Sequence, residues 1–309
     1  MNSWFSELTG LQENPPNVAE LTVVNNKLIS PASEKSYDIG TFQIATLQNL
    51  KDAIRNIRLT DKNTVDIIYS DATSLHLDPS NEGASFQVAS QFNFLEMPNP
   101  NITPQHGVSD YQYDHTQGPA CAIACGAATI YRNYFLQHTT QQFNGLSLME
   151  TLIENEKYQY WKMKNGYALL NTCTINELNE ILHKNRQFGN YLRVGIQHGA
   201  QVTLNNCTHK VTQVFCSALP ISYVTKSQFA EVDPIYRKFS QVILNATYEA
   251  TLIAAFINKR NTGNATVFLT RVGGGAFGNE QEWIDEAIES SLQKYSNLGL
   301  NVKLVELKK

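Results

Sequence analysis

The stretch from Ala265 to Leu307 constrains the fold more than any other part of the chain. A short apolar segment, ATVFLTR (Ala265–Arg271), leads into a Gly-rich turn, VGGGAFGN (Val272–Asn279). A helical pattern from Gln281 to Tyr295 follows, with Trp283, Ile284, Ala287 and Ile288 on one face, and then a second apolar segment, NVKLVEL (Asn301–Leu307). This is a β-α-β crossover, and strands joined through a helix lie parallel, because a tight hairpin turn can only reverse the chain. Such a unit belongs to an α/β layer structure, in which helices cover the sheet.

Other segments supply further elements. VDIIYSDAT (Val65–Thr73) and FQVASQFN (Phe86–Asn93) have the texture of strands ending in polar loops, and HKVTQVFCSALP (His209–Pro220) that of a buried strand. Tyr191 to Ile196 is a further strand candidate. Helices are expected over Thr46–Arg58, Ile175–His183 and Tyr248–Lys259. Another should begin near Pro119, where Ala120, Ile123, Ala124, Ala127, Ala128 and Tyr131 form one stripe. Residues 1–60, punctuated by Pro15-Pro16 and Pro31, are expected to form an N-terminal extension or cap, and 61–309 the main α/β domain. Within that domain, 136–205 has a weak, Asn- and Gln-rich pattern expected of an insertion or lid. The loop from Met97 to Gln117 is too long to be a mere connector.

Charge and composition narrow the partners. With 24 Lys plus Arg against 28 Asp plus Glu, the chain lacks the basic excess that phosphate neutralisation needs, so no nucleic-acid partner is expected. No run of about 18 apolar residues and no secretory signal pattern is present, so the expectation is a cytoplasmic protein without a membrane span. A monomer is expected by default, since no sequence feature sets the oligomeric state. Five scattered cysteines fit reduced thiols. The histidines show no HExxH and the cysteines no CxxC, so neither a metal nor an organic cofactor is expected.

Three groups of residues carry candidate chemistry. In the Gly-rich turn, Gly273, Gly274 and Gly275 let backbone N–H groups approach an anion, and the following helix adds its positive end; a diphosphate fits there, and a plain strand-to-helix turn is the alternative. Asp114, just before the Pro119 helix, is the first candidate for an acid/base or water-positioning carboxylate, with an ordinary helix cap as the competing role. Glu96 is the second carboxylate, or else a solvated side chain. Cys121, in TQGPAC, superficially matches a thiol nucleophile at a helix start, with His198 or His209 as base. Its place in an Ala/Ile stripe fits a small buried thiol instead. Tyr111 and Tyr113 flank the region.

Strand, VGGGAFGN, helix and final strand together resemble the second substrate loop of macrodomains, and FGN is the form of poly(ADP-ribose) glycohydrolase-like members. In order along the chain, SDAT (Ser70–Thr73) resembles the loop whose Asp grips the adenine amine. FQVASQFN resembles the strand ending in the family's Asn-Ala-Ala-Asn element, and HKVTQVFCSALP the strand before its Gly-Pro turn. The resemblance implies a three-layer α/β/α macrodomain-like sandwich with a mixed central sheet. It implies an ADP-ribose site made by Asp71 and Ala72 at adenine, Asn93 near the distal ribose, and Gly273, Gly274, Gly275, Ala276, Phe277, Gly278 and Asn279 at the diphosphate. Asn93, Asp114 and Glu96 are its catalytic candidates. Phe277 could equally be a core residue pinning the loop, and Asn279 a helix cap.

The implied activity is removal of mono-ADP-ribose from protein side chains, arginine-linked above all, by cleavage at the proximal ribose anomeric carbon, with water as the only co-reactant. A bacterial effector delivered into a host cell is the implied setting. One departure stands out: active glycohydrolases carry Gln-Glu-Glu at the start of a helix where this chain has DHTQGPACA (Asp114–Ala122). A non-catalytic ADP-ribose reader is therefore the alternative.

Overall fold

The computed structural model describes residues 3–138, 140–224 and 226–307, and the backbone alone of residues 175 and 226–235. A seven-stranded sheet forms the middle layer: β1 (Thr41–Thr46), β2 (Thr64–Tyr69), β3 (Ser85–Ala89), β4 (Arg193–Gln201), β5 (Lys210–Cys216), β6 (Thr266–Leu269) and β7 (Asn301–Glu306). Their spatial order is β1-β4-β5-β3-β6-β7-β2. Strand β4 runs antiparallel to its neighbours β1 and β5, and the other pairs are parallel.

Helices α1 (Leu47–Ile54), α5 (Ile175–Lys184), α6 (Lys226–Thr262) and α7 (Gln281–Lys294) cover one face; α2 (Ala72–Leu77), α3 (Gln117–Ala124) and α4 (Gly126–Ile130) cover the other. The central strands are apolar on both sides because both sides are covered. On β5, Val214 and Cys216 face the first layer and Val211 and Phe215 the second. This is the three-layer α/β/α sandwich with a mixed sheet that the sequence motifs imply. The terminal β6-α7-β7 unit is the expected parallel crossover, with Trp283, Ile284, Ala287 and Ile288 buried.

Several boundaries differ from the sequence expectations. Residues 41–46, placed in the extension, form the edge strand β1, and the strand expected over Tyr191–Ile196, inside the insertion, runs from Arg193 to Gln201 as β4, a full member of the sheet. Their Gln and His side chains break the apolar texture that marks the inner strands. The helix expected to run unbroken from Pro119 to Tyr131 stops at Cys125. There the N–H of Thr203 takes the carbonyl of Ala124 (2.8 Å), and Thr203 Oγ1 accepts from the N–H of Gly126 (3.0 Å). The helical path resumes in α4 and ends in a π-turn, Tyr131–Phe135. Helix α6 begins well before Tyr248.

The N-terminal residues pack onto the second helical layer. Trp4, Phe5 and Leu8 form a cluster with Val108, Tyr111, Ala122, Ala127 and Ile130. Glu13 anchors the long loop: its carboxylate accepts the N–H groups of Val108 and Ser109 (2.8 Å each) and the hydroxyl of Tyr134 (2.6 Å). Trp4 Nε1–H donates to the carbonyl of Val108 (3.0 Å). The extension thus holds one wall of the cavity described below. Trp4→Ala removes a buried indole and its hydrogen bond, and is expected to cost about 3–5 kcal/mol of stability. Urea denaturation measures this, and a loss below about 1 kcal/mol would show that the extension is not part of the cooperative core.

Candidate functional site

A cavity of about 800 Å³ opens where the carboxyl ends of β2, β3, β5, β6 and β7 converge, the usual ligand position in open α/β sheets. Its cause lies in the sheet. Strands β3 and β6 pair only at Ser85↔Val267 and Phe86↔Phe268. Beyond that, side-chain amides replace the missing ladder. Gln87 Oε1 accepts from the N–H of Thr270 (3.2 Å). Gln117, at the start of α3, accepts from the N–H of Ala89 (2.9 Å) and donates to the carbonyl of Gln87 (2.8 Å). The splayed strands leave the space, and α3 is wedged at its edge.

Glu96 sits on the inner wall. The segment Ser90–Met97 folds back tightly after β3, with the Phe94 N–H donating to the carbonyl of Gln91 (2.9 Å) and the Gln91 N–H to that of Leu95 (3.1 Å). The Met97 N–H donates to the Gln91 side chain, and the Glu96 N–H to the hydroxyl of Tyr111 (3.1 Å). Glu96 is therefore buried rather than solvated, and its Oε1 has no hydrogen-bond partner among the described residues. Burial pushes its carboxyl well above the ordinary range, the nearby Asp114 adds to this, and Arg132 opposes it. Gly118 makes the packing possible: a Cβ there would lie 2.0 Å from the carbonyl oxygen of Ala89 and 2.3 Å from Glu96 Oε2.

Arg132, in the π-turn, is buried with its guanidinium 3.9 Å from the Phe215 ring centroid. It donates to Thr129 Oγ1 (3.1 Å) and Gln197 Oε1 (3.4 Å), and burial lowers its pKa to about 10. Asp114 is half-buried on the cavity wall, where Oδ1 accepts the N–H of Thr116 (2.9 Å) in a local turn.

Opposite stands the Gly-rich loop. Gly273, Gly275, Ala276 and Phe277 line the cavity. Gly273 has φ of +81°, and a Cβ there would lie 2.4 Å from that of Ala218. The Asn279 N–H donates to the carbonyl of Gly273 (2.9 Å), and the Ser222 N–H to that of Phe277 (3.0 Å). The N–H groups of Gly275, Ala276 and Phe277 make no hydrogen bond among the described residues. They are free donors at the cavity wall, an arrangement suited to an anion. Phe277 packs against Tyr167 (centroids 5.3 Å apart), which donates its hydroxyl to the carbonyl of Met97.

Asp71 lies at the rim as the N-cap of α2, accepting from the Ser74 N–H (2.8 Å) and hydroxyl (2.7 Å). These bonds hold its carboxyl below the ordinary range. Ala72 lines the cavity beside it. Asn93, Gly274, Gly278 and Asn279 do not line it. Asn93 is buried, donating to Gln142 Oε1 (2.8 Å) and accepting from the Leu95 N–H (3.2 Å), which makes it a support for the Glu96 turn. Asn279 donates to the carbonyls of Leu219 (2.8 Å) and Gly273 (3.2 Å), bracing the loop from behind. Tyr111 lines the cavity, whereas Tyr113 is exposed outside it.

The thiol-nucleophile reading fails on geometry. Cys121 is buried, its thiol pushed well up by desolvation, and Gln117 Nε2 donates to its sulfur (3.1 Å). His209 is bonded to the carbonyl of His76 (2.8 Å), not to Cys121. Arg132 and Tyr167 carry no motif in the sequence, and Gln87 and Gln117, inside FQVASQFN and TQGPAC, have no role there that the sequence assigns; Gly118 before Pro119 was the one available signal of close approach. Among the described residues no cluster of His, Cys, Asp or Glu could hold a metal, and no helix is long and apolar enough to cross a membrane.

Among solved structures, the chain is similar to the poly(ADP-ribose) glycohydrolase of Thermomonospora curvata, with 12% identity and a TM-score of 0.46 over 91% of this chain and 87% of that one. It is also similar to the poly(ADP-ribose) glycohydrolase of Deinococcus radiodurans in complex with ADP-ribose, with 11% identity and a TM-score of 0.43 over 87% and 88%. No protein-family model and no curated protein sequence matches the chain.

The Glu96 carboxyl has a measurable signature. Unfolded, it ionises near its ordinary value of 4.5; folded, it stays protonated well above that. Between the two values folding takes up a proton, so native stability falls by up to about 1.4 kcal/mol per pH unit as pH rises. Glu96→Gln lacks this dependence, so its stability relative to wild type should increase from about pH 5 upward. Urea denaturation of both proteins across that range checks it; a constant difference would place an ordinary, solvated carboxyl at this position.

Proposed function

We propose that this protein binds ADP-ribose in the cavity and hydrolyses the bond between mono-ADP-ribose and a protein side chain, arginine being the linkage that the family resemblance alone suggests. The observation that carries the reading is the pairing of Glu96, a buried carboxyl with an unpartnered oxygen, with three backbone N–H groups on the facing loop that make no hydrogen bond among the described residues. A held diphosphate and a proton donor near the anomeric carbon are what cleavage through an oxocarbenium-like state requires. The Asp71 rim, in this reading, takes the adenine end.

The protonated Glu96 gives its proton to the departing side-chain nitrogen as the C–N bond breaks. Asp114 orients the attacking water and receives its proton, which returns to Glu96 through solvent, so the net change is the addition of one water. Arg132 supports the carboxyl after it has lost its proton, since its positive charge favours the ionised form. Tyr167 and Phe277 provide apolar surface beside the ribose.

The test is release of free ADP-ribose from arginine-, serine- and glutamate-modified proteins. Wild type is expected to release it from the arginine linkage. Glu96→Gln and Asp114→Ala should each lower kcat by about 10²–10⁴ while leaving ADP-ribose binding within a few-fold. Gly275→Glu should abolish binding: a Cβ there meets nothing within 4 Å, so the side chain fits and brings a negative charge to the anion site. Binding without release from any linkage would make the protein a reader, as the missing Gln-Glu-Glu allows. Absence of binding would overturn the reading altogether.

A further inference from the structure

The sheet has an unguarded edge at β2. Its residues Val65, Ile67 and Tyr69 are 47%, 55% and 62% exposed, although all three are apolar or aromatic. They share a face of the sheet with Val302 and Leu304 of β7, which pair with Val65 and Ile67 and belong to the core under α6 and α7. The helical cover ends at β7 and leaves β2 bare. The strand, TVDIIY, has no Pro, Lys or bulge to blunt the edge, and its one charge, Asp66, is tied to Lys303 of β7.

The backbone is equally open. The N–H groups of Thr64 and Ser70 donate into β7, to the carbonyls of Leu300 (2.8 Å) and Glu306 (3.0 Å). With the two-residue period of a strand, the N–H and C=O groups of Val65, Ile67 and Tyr69 therefore point away from the sheet. The groups that seek hydrogen bonds and the exposed apolar side chains belong to the same three residues.

We infer that this edge is the contact between two copies of the chain, which pair β2 against β2 in antiparallel register about a two-fold axis through Ile67. In that register Val65 faces Tyr69 of the other copy and Ile67 faces Ile67, so each outward-pointing backbone group meets another. Aromatic with β-branched is a favourable cross-strand pair. Asp66, already paired with Lys303, faces Ile68 rather than a second acid, and Lys62 stands opposite the Asp71–Ala72 step, bringing unlike charges together at both ends. Such a self-complementary patch is what a two-fold interface requires, and the odd-numbered residues of this strand supply it. A six-residue strand with its side chains buries on the order of 1,000 Å² in total, at the low end for specific association, so the dimer is expected to be reversible in the micromolar range.

Sedimentation velocity from low to high micromolar concentration is the first experiment. Wild type should shift from monomer to dimer mass, and Ile67→Lys should weaken association at least about tenfold. The register is tested by oxidation in a Cys173→Ser/Cys207→Ser background. Ile67→Cys should cross-link to itself, because directly opposed, hydrogen-bonded residues have Cα atoms about 5.5 Å apart. Val65→Cys alone should not cross-link, and Val65→Cys/Tyr69→Cys should. All three positions are exposed, so the substitutions leave the core intact. A monomer at every concentration, a dimer that survives Ile67→Lys, or equal cross-linking by Val65→Cys and Ile67→Cys would each overturn the inference.

Discussion

Strands β3 and β6 stay in backbone contact for two residue pairs and then part, and the rest of the molecule is arranged around that separation. Unpaired backbone groups in a buried sheet are costly, by about 1–3 kcal/mol each. The Gln87 and Gln117 side chains remove that cost by taking the vacant positions. Because Gln117 opens α3, its bonds fix the helix at the mouth of the gap. Gly118 then lets the helix lie against the carbonyl of Ala89 and the carboxyl of Glu96. One interrupted ladder thus creates the cavity, sets a wall and positions the carboxyl.

The second constraint is a pair of buried ionisable groups. Glu96 and Arg132 both sit in the interior, and no ion pair joins them among the described residues. An isolated buried charge is expensive, and a carboxyl escapes the cost by keeping its proton. Arg132 has no such escape near neutral pH. It is accommodated instead by the Phe215 ring and by oxygens of Thr129 and Gln197, at a π-turn that displaces the chain from the regular helical path. A buried acid and a buried cation that form no ion pair are a poor arrangement for stability. The extension offsets this by packing Trp4, Phe5 and Leu8 over the same layer and clamping the long loop through Glu13.

Much of this was legible in the residues. The β6-α7-β7 unit, the strands from Val65, Phe86 and Lys210, and the Gly-rich loop follow from local pattern, because apolar runs bounded by polar turns carry their own signal. Gly273, Gly275, Ala276, Phe277, Asp71, Ala72, Asp114 and Glu96 were all singled out from sequence, and all line the cavity. Strand β1 gave no clear signal and β4 only its first half, Tyr191–Ile196, since Gln43, Gln197, His198 and Gln201 interrupt the apolar texture, and the partners that satisfy such side chains are distant in sequence. Gln197 Nε2, for example, donates to the carbonyl of Ile39 (2.6 Å). The helix break at Cys125 depends on Thr203, which local propensity cannot register.

What the sequence determined by itself was the layered α/β class, the order of its main elements and the loops that line the cavity. These are set by period, turn residues and burial preference, all short-range properties. Only the tertiary structure decided which polar groups face the cavity and which brace it. Asn93 and Asn279 look like ligands and serve as supports; Glu96 looks like a surface acid and is buried, with its carboxyl pushed well above the ordinary range; Gln117 looks like an unremarkable helix residue and substitutes for a strand. The physical reason is that a side chain's protonation and hydrogen-bond commitments depend on its desolvation and on partners many residues away, and neither exists until the sheet and both helical layers have closed around it.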